Sequence, residues 1–193
     1  MRPIDDGEER ALVARARKGD LNAFETLVKL HQRGIYALCF RMAGIHQAAD
    51  DLAQETFIKA YAGLASFDQN RAFFPWLRKI AINSSLNYLK SRKREEPLGE
   101  RDGRVPGQAL ASSSSTPQDE LQRTEAREKL GRALRALPPK LKSVFVLHVF
   151  DGLSYEDIAH TVEIPRGTVM SRLNRARRKL KAALSGPPAG SAR

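Results

Sequence analysis

The 193-residue chain has a single cysteine, Cys39. This excludes a disulfide framework and a zinc site built on cysteine pairs. Cys39 lies within an apolar helical pattern and reads as a small core residue. No apolar run approaches the roughly 18 residues of a membrane span, so no membrane insertion is expected. The first residues, Met-Arg-Pro-Ile-Asp-Asp, are polar and acidic, unlike a signal peptide. The chain therefore reads as soluble and cytoplasmic. It has no phosphate-cradling glycine loop, nucleophile constellation or metal-ligand cluster, so neither catalysis, cofactor nor metal is expected. Acid is also scarce: 22 Asp and Glu stand against 33 Lys and Arg, a net charge of +11. That excess points to a polyanionic partner.

The basic charge is concentrated in the stretch from Ser154 to Lys181. Ser154 can cap a helix, with Asp157 as its capping-box partner three residues on. Ile158, Ala159 and Val162 form a short apolar stripe. Pro165 and Gly167 break the pattern, and a second helix is expected from near Thr168. Val169, Leu173, Ala176 and Leu180 share one face of it. Between Arg166 and Lys181 there are seven Lys or Arg and no acid. Capping, turn and uniform charge together describe a helix-turn-helix whose second helix enters a DNA groove.

Upstream the pattern is all-α. Residues 8–18 read as a helix closed by Gly19, and Asp20 caps the next. In that second helix Leu21, Phe24, Leu27, Val28, Ile35, Leu38 and Met42 make one long buried stripe, ending at Gly44. Gly34 inside it marks close packing or a kink. A third helix, Gln47 to Ser66, puts Leu52, Thr56, Phe57, Ala60 and Leu64 on one side. Asp51, Gln54, Glu55 and Ile58 fall on the other. An acidic face carrying an exposed Ile is either a solvated helix face or a docking surface for a basic protein. A fourth helix, Phe73 to Arg94, holds Pro75 in its first turn, where the missing N–H costs nothing. Leu77, Ile80, Ala81 and Ser84 pack inward; Lys79, Asn83, Asn87 and Lys90 lie on adjoining faces. The preceding loop contains Phe67, Asp68, Gln69, Asn70 and Arg71. Aromatic, amide and cationic groups gathered like this suit single-stranded nucleic acid. Phe73 and Trp76 are assigned to the core.

Residues 95–120 are rich in Pro, Gly, Ser and acid with no apolar period, which describes a flexible linker. Extended, it spans roughly 85 Å, more than the ~34 Å of one DNA turn. A helix from Asp119 to Ala136 follows. The next starts at Pro138-Pro139, with Leu141, Val144, Phe145, Leu147 and Val149 as core candidates. Residues 185–193 form a frayed tail. The expected fold is two small helical domains, 8–94 and 121–184, joined by the linker.

Three segments in this order resemble the extracytoplasmic-function (ECF) sigma factors of bacterial RNA polymerase. They are Ala49-Asp50-Asp51-Leu52-Ala53-Gln54-Glu55-Thr56-Phe57; Trp76 to Asn83 with Asn87-Tyr88-Leu89; and Leu137-Pro138 through Phe145, followed by Gly152 to Ala159, Gly167-Thr168-Val169 and Ser171-Arg172. The resemblance implies that the first domain is region 2, which binds the largest-subunit clamp and melts the −10 promoter element. The second is then region 4, which binds the −35 duplex and the polymerase flap. It places the polymerase contact on Asp51, Gln54, Glu55 and Ile58. It places −10 contacts on Phe67 to Arg71, Lys79, Asn83 and Asn87, with Asn83 helping to hold a flipped base. It places −35 contacts on Arg166, Thr168, Ser171, Arg172, Asn174, Arg175 and Arg178. It also implies an anti-sigma factor as partner. Met170 stands where the family usually carries Lys or Arg, and Pro75 replaces a more usual polar residue. The Asp50-Asp51 pair replaces the commoner Ala-Glu-Asp arrangement. From the residues alone, two rivals stay open: a helix-turn-helix repressor with a separate sensing domain, and a nucleic-acid-processing enzyme.

Overall fold

The computed structural model describes residues 5–95 and 117–185. Most of the expected linker and the tail beyond Ser185 lie outside the described residues. Among those described there are eight α-helices and no strand. They are α1 (Asp6–Arg17), α2 (Leu21–Ala43), α3 (His46–Gly63), α4 (Phe73–Glu95), α5 (Pro117–Ala136), α6 (Pro139–Val149), α7 (Tyr155–Val162) and α8 (Arg166–Ser185). A single 3-10 turn, Leu64–Ser66, follows α3.

Local chemistry accounts for most of these boundaries. Asp5 accepts from the backbone N–H groups of Gly7 and Glu8. Asp20 accepts from Ala23 N–H at 3.1 Å. Each satisfies donors that the first helical turn leaves without partners. Gly44, in the left-handed conformation at φ 78°, closes α2 by donating to the Phe40 carbonyl at 2.8 Å. The α5 helix begins at Pro117, inside the stretch expected to be linker. Proline is well suited to a helix's first turn, so it starts this helix rather than extending the loop.

The first four helices enclose Leu27, Ile35, Leu38, Met42, Leu64, Leu77 and Ile82, all fully buried. Completely burying such a side chain contributes about 1.5–3 kcal/mol. Around α6 to α8, Val144, Leu147, Ile158 and Leu173 are buried in the same way. Gly34 answers to close packing: a Cβ there would lie 3.3 Å from the Phe74 ring. Two expected core residues are exposed. Leu21 is 64% exposed because it is the first residue of α2, ahead of the packed turns. Val149 is 49% exposed, two residues beyond buried Leu147 and so on the far side of α6.

The two helical groups touch. α4 packs on α6 and α7, and α2 packs on α5 and α6. The stem of Arg135 covers Gly44, where an added Cβ would lie 2.8 Å from it.

Candidate nucleic-acid and polymerase interfaces

Helix α3 is buried along Leu52, Thr56, Phe57 and Ala60. This leaves Asp51, Gln54 and Ile58 exposed and Glu55 half-exposed on its outer side. Ile58 is 69% exposed, an apolar side chain among acids. The face is braced from within: Gln47 Nε2 donates to Asp51 at 3.2 Å, and Lys59 pairs with Glu55.

The loop before α4 is organised by Asp68. Its Oδ1 accepts from the Asn70 backbone N–H at 3.0 Å and from Asn70 Nδ2 at 3.1 Å. Its other oxygen lies 3.5 Å from Arg71 Nε. Asp68, Gln69, Asn70 and Arg71 are all exposed. Phe67 behaves differently from its neighbours. It is 5% exposed, with its ring 4.7 Å from Trp76 and 5.8 Å from Phe73. In this conformation it offers no surface for a base to stack on, and it anchors the loop instead. Phe73 and Trp76 pack with it, as expected of core rings. Along α4, Asn83 and Asn87 are exposed and Lys79 is half-buried. One turn apart, these three share a face running on from the loop.

The helix-turn-helix forms from α7 and α8. Ser154 Oγ accepts from Asp157 N–H at 3.1 Å, as a cap should. The Asp157 carboxylate returns to the Ser154 hydroxyl at 2.6 Å, not to the backbone N–H. Asp is one methylene shorter than the Glu of the usual capping box. The turn differs from expectation. Its left-handed residue is Glu163, at φ 52°, and α8 starts at Arg166 with Gly167 already helical. The Pro165 carbonyl accepts from Thr168 and Val169 N–H, which starts the helix two residues early. Val169, Leu173, Ala176 and Leu180 are buried. Arg166, Ser171, Asn174, Arg175 and Arg178 are exposed, and Thr168 and Arg172 half-buried, on the solvent side. Ser171 Oγ donates to the Thr168 carbonyl at 3.0 Å, so its hydroxyl is held against the helix.

Two family descriptions match this chain: sigma-70 region 2 over residues 27–95, and sigma-70 region 4 over residues 127–180. The RNA polymerase sigma-H factor of Pseudomonas aeruginosa is 38% identical, covering 92% of this chain and 94% of that protein. The ECF sigma factor SigW of Bacillus subtilis is 34% identical over 88% of this chain and 92% of that one. The chain belongs to the ECF sigma factors. The ECF sigma-E factor of Escherichia coli K12 is 37% identical over 88% and 90%. Among solved structures, CnrH in complex with the cytosolic domain of CnrY has a TM-score of 0.63 at 29% identity, covering 92% of this chain and 97% of that one. RpoE of Bartonella quintana, in complex with the anti-sigma factor NepR, has a TM-score of 0.66 at 26% identity over 84% and 97%.

In this ECF sigma factor the loop and α4 surface falls within the region 2 match, and the helix-turn-helix within the region 4 match. Sequence reasoning missed the acids that join them. Glu163 accepts from Lys79 Nζ at 2.7 Å, and Asp151 lies between Arg41 and Arg78. Their only signal was acid next to a basic stretch. Among the described residues, no group of His, Cys, Asp and Glu could hold a metal ion. No helix among them is long and apolar enough to cross a membrane.

Proposed function

We propose that this chain is a promoter-specificity subunit of RNA polymerase, acting by binding rather than by covalent catalysis. Helix α8 holds the −35 duplex through Arg172, Arg175 and the phosphate-facing Arg166 and Arg178. Asn174, Thr168 and Ser171 fill the rest of that surface. The exposed loop from Asp68 to Arg71, with Lys79, Asn83 and Asn87, takes the unstacked −10 strand. Capturing a base there offsets the cost of extruding it, about a few kcal/mol. Polymerase supplies the nucleotide chemistry, so the chain needs no cofactor of its own.

The observation carrying this reading is the outer face of α3. Asp51, Gln54, Glu55 and Ile58 stand in solvent, with an apolar residue among acids on a strongly basic protein. Nucleic acid would be repelled there, whereas a basic clamp surface fits. A stand-alone helix-turn-helix repressor has no use for such a face. An anti-sigma factor is a further proposed partner, supported by the likeness to RpoE, solved with the anti-sigma factor NepR. The test is reconstitution: core polymerase plus this chain should start transcripts from a cognate promoter. A chain that binds no core polymerase would sink the proposal.

A further inference from the structure

One face of α8 is divided along its length. Gly167, Met170, Ser171 and Asn174 in its first turns are exposed and uncharged. Spaced at i, i+3, i+4 and i+7, they share that face. Farther along the same line come Arg177, Arg178 and Lys181, all exposed and all cationic. At about 100° per residue, Arg166 borders the uncharged strip on one side, and Arg172 and Arg175 on the other. No acid occurs between Arg166 and Lys181. Charge therefore surrounds the strip and is missing from its centre. The strip is also low. A Cβ added at Gly167 would meet nothing within 4 Å, so the protein's own packing does not call for glycine there. Glycine is a poor helix former, but its bare backbone lets a ligand on that face come close. The Ser171 hydroxyl is held against the helix by its bond to the Thr168 carbonyl at 3.0 Å. Met170 stands out from this strip: it is apolar and 47% exposed, with only small or polar neighbours on its face. A single apolar side chain of this kind does not make a protein-docking patch.

We infer that Met170 is a specificity-determining residue whose target is the 5-methyl group of a thymine in the −35 duplex. This rests on the reading of α8 as the helix that enters that duplex. In a helix-turn-helix the N-terminal residues of the second helix reach base edges. Those edges carry no net charge, and the thymine methyl is the apolar group that the major groove presents. A flexible, apolar thioether side chain fits that methyl. A cation in its place would turn to a phosphate or a guanine. Gly167, one turn before Met170, lets the helix settle deep enough for the contact. Asn174, one turn after, carries the amide donor and acceptor that suit adenine. Four residues rise about 6 Å along a helix, and base pairs stack about 3.4 Å apart. The thymine under Met170 and an adenine under Asn174 therefore lie within about two base pairs of each other.

For the test, the full chain, alone and bound to core polymerase, selects duplexes from a randomised pool. Each thymine of the enriched site is then replaced by deoxyuridine, which removes the methyl and keeps the base pair. With the wild type, one position should lose about fourfold in affinity, the worth of one buried methyl group. In Met170→Ala the same replacement should cost nothing, so the two changes are not additive. The sensitive thymine should lie within about two base pairs of an adenine whose preference Asn174→Ala relaxes. Met170→Lys should move the selected base from thymine to guanine. Deoxyuridine alters only the DNA, and Met170 is exposed, so a folding defect does not imitate the result; circular dichroism checks the variants. Indifference of the wild type to every deoxyuridine overturns the inference. So does an equal loss in wild type and Met170→Ala, or a Met170→Lys chain that still selects thymine there. A sensitive thymine far from that adenine places another residue over the methyl and overturns it as well. Failure of both forms of the chain to enrich any duplex is a different result: it sinks the reading of α8 as a duplex-binding helix, and the inference with it.

Discussion

Lys59 ties Glu55, one turn earlier on α3, to the Ser84 hydroxyl on α4, to which it donates at 3.0 Å. Glu55, proposed for docking, is thus linked through Lys59 to α4, the helix proposed to carry the −10 surface. Reversing the face should abolish docking without unfolding the chain, because Asp51 is exposed and Glu55 half-exposed. Asp51→Arg/Glu55→Arg should lose more than about tenfold in affinity for core polymerase, roughly 1.4 kcal/mol. A pull-down against the wild type measures it. Unchanged binding would remove the docking assignment.

On α8, Arg172 is half-buried next to buried Leu173. The planar guanidinium fork suits bidentate recognition of a base or phosphate. Arg172→Ala should weaken −35 duplex binding by about 1–3 kcal/mol if the contact is bidentate to a base. Anisotropy titrations across a salt series measure it. An unchanged affinity and salt slope would show that the side chain does not touch DNA.

Legibility in the sequence tracked how local each cause was. The α3 face was readable because helical period alone puts Asp51 and Glu55 opposite Leu52 and Thr56. The Ser154 cap was readable for the same reason. Phe67 was not: its burial depends on Phe73 and Trp76 folding back over it, which loop composition does not encode. Pro165 and Gly167 were read as the break between the two helices, yet the left-handed residue is Glu163 and Gly167 is already helical. Asp151 and Arg41 meet across more than a hundred residues, and no periodicity reports such a pairing.

Cys39 is fully buried, and burial pushes its thiol up to about 11. The thiolate is the reactive species, and little of it exists at pH 8. A disulfide reagent should therefore modify the native protein far more slowly than the unfolded chain, which titrates near 8.5. Absorbance of the released thiolate, with and without denaturant, follows the reaction. Equal rates would show that α2 and its neighbours open freely around the site.

His31 Nε2 lies 2.7 Å from Glu9 Oε1, while its ring stacks on Phe74 at 5.0 Å. Two causes oppose each other. Burial lowers the imidazole below its ordinary 6.5, and the Glu9 carboxylate pushes it back up; burial wins. The folded state therefore holds a neutral ring that donates to Glu9. A lowered value means that the unfolded chain binds the proton more readily. The stabilisation is complete above the unfolded value of 6.5 and is lost as pH falls through the folded value. Melting temperature should accordingly drop between pH 7.5 and 5.5. In His31→Gln, which keeps a donor but cannot titrate, that drop should be smaller, whatever the carboxylates contribute to both proteins. Scanning calorimetry of the two chains at matched pH gives the comparison. A parallel decline in both would show that the α1–α2 contact does not sense protons through His31.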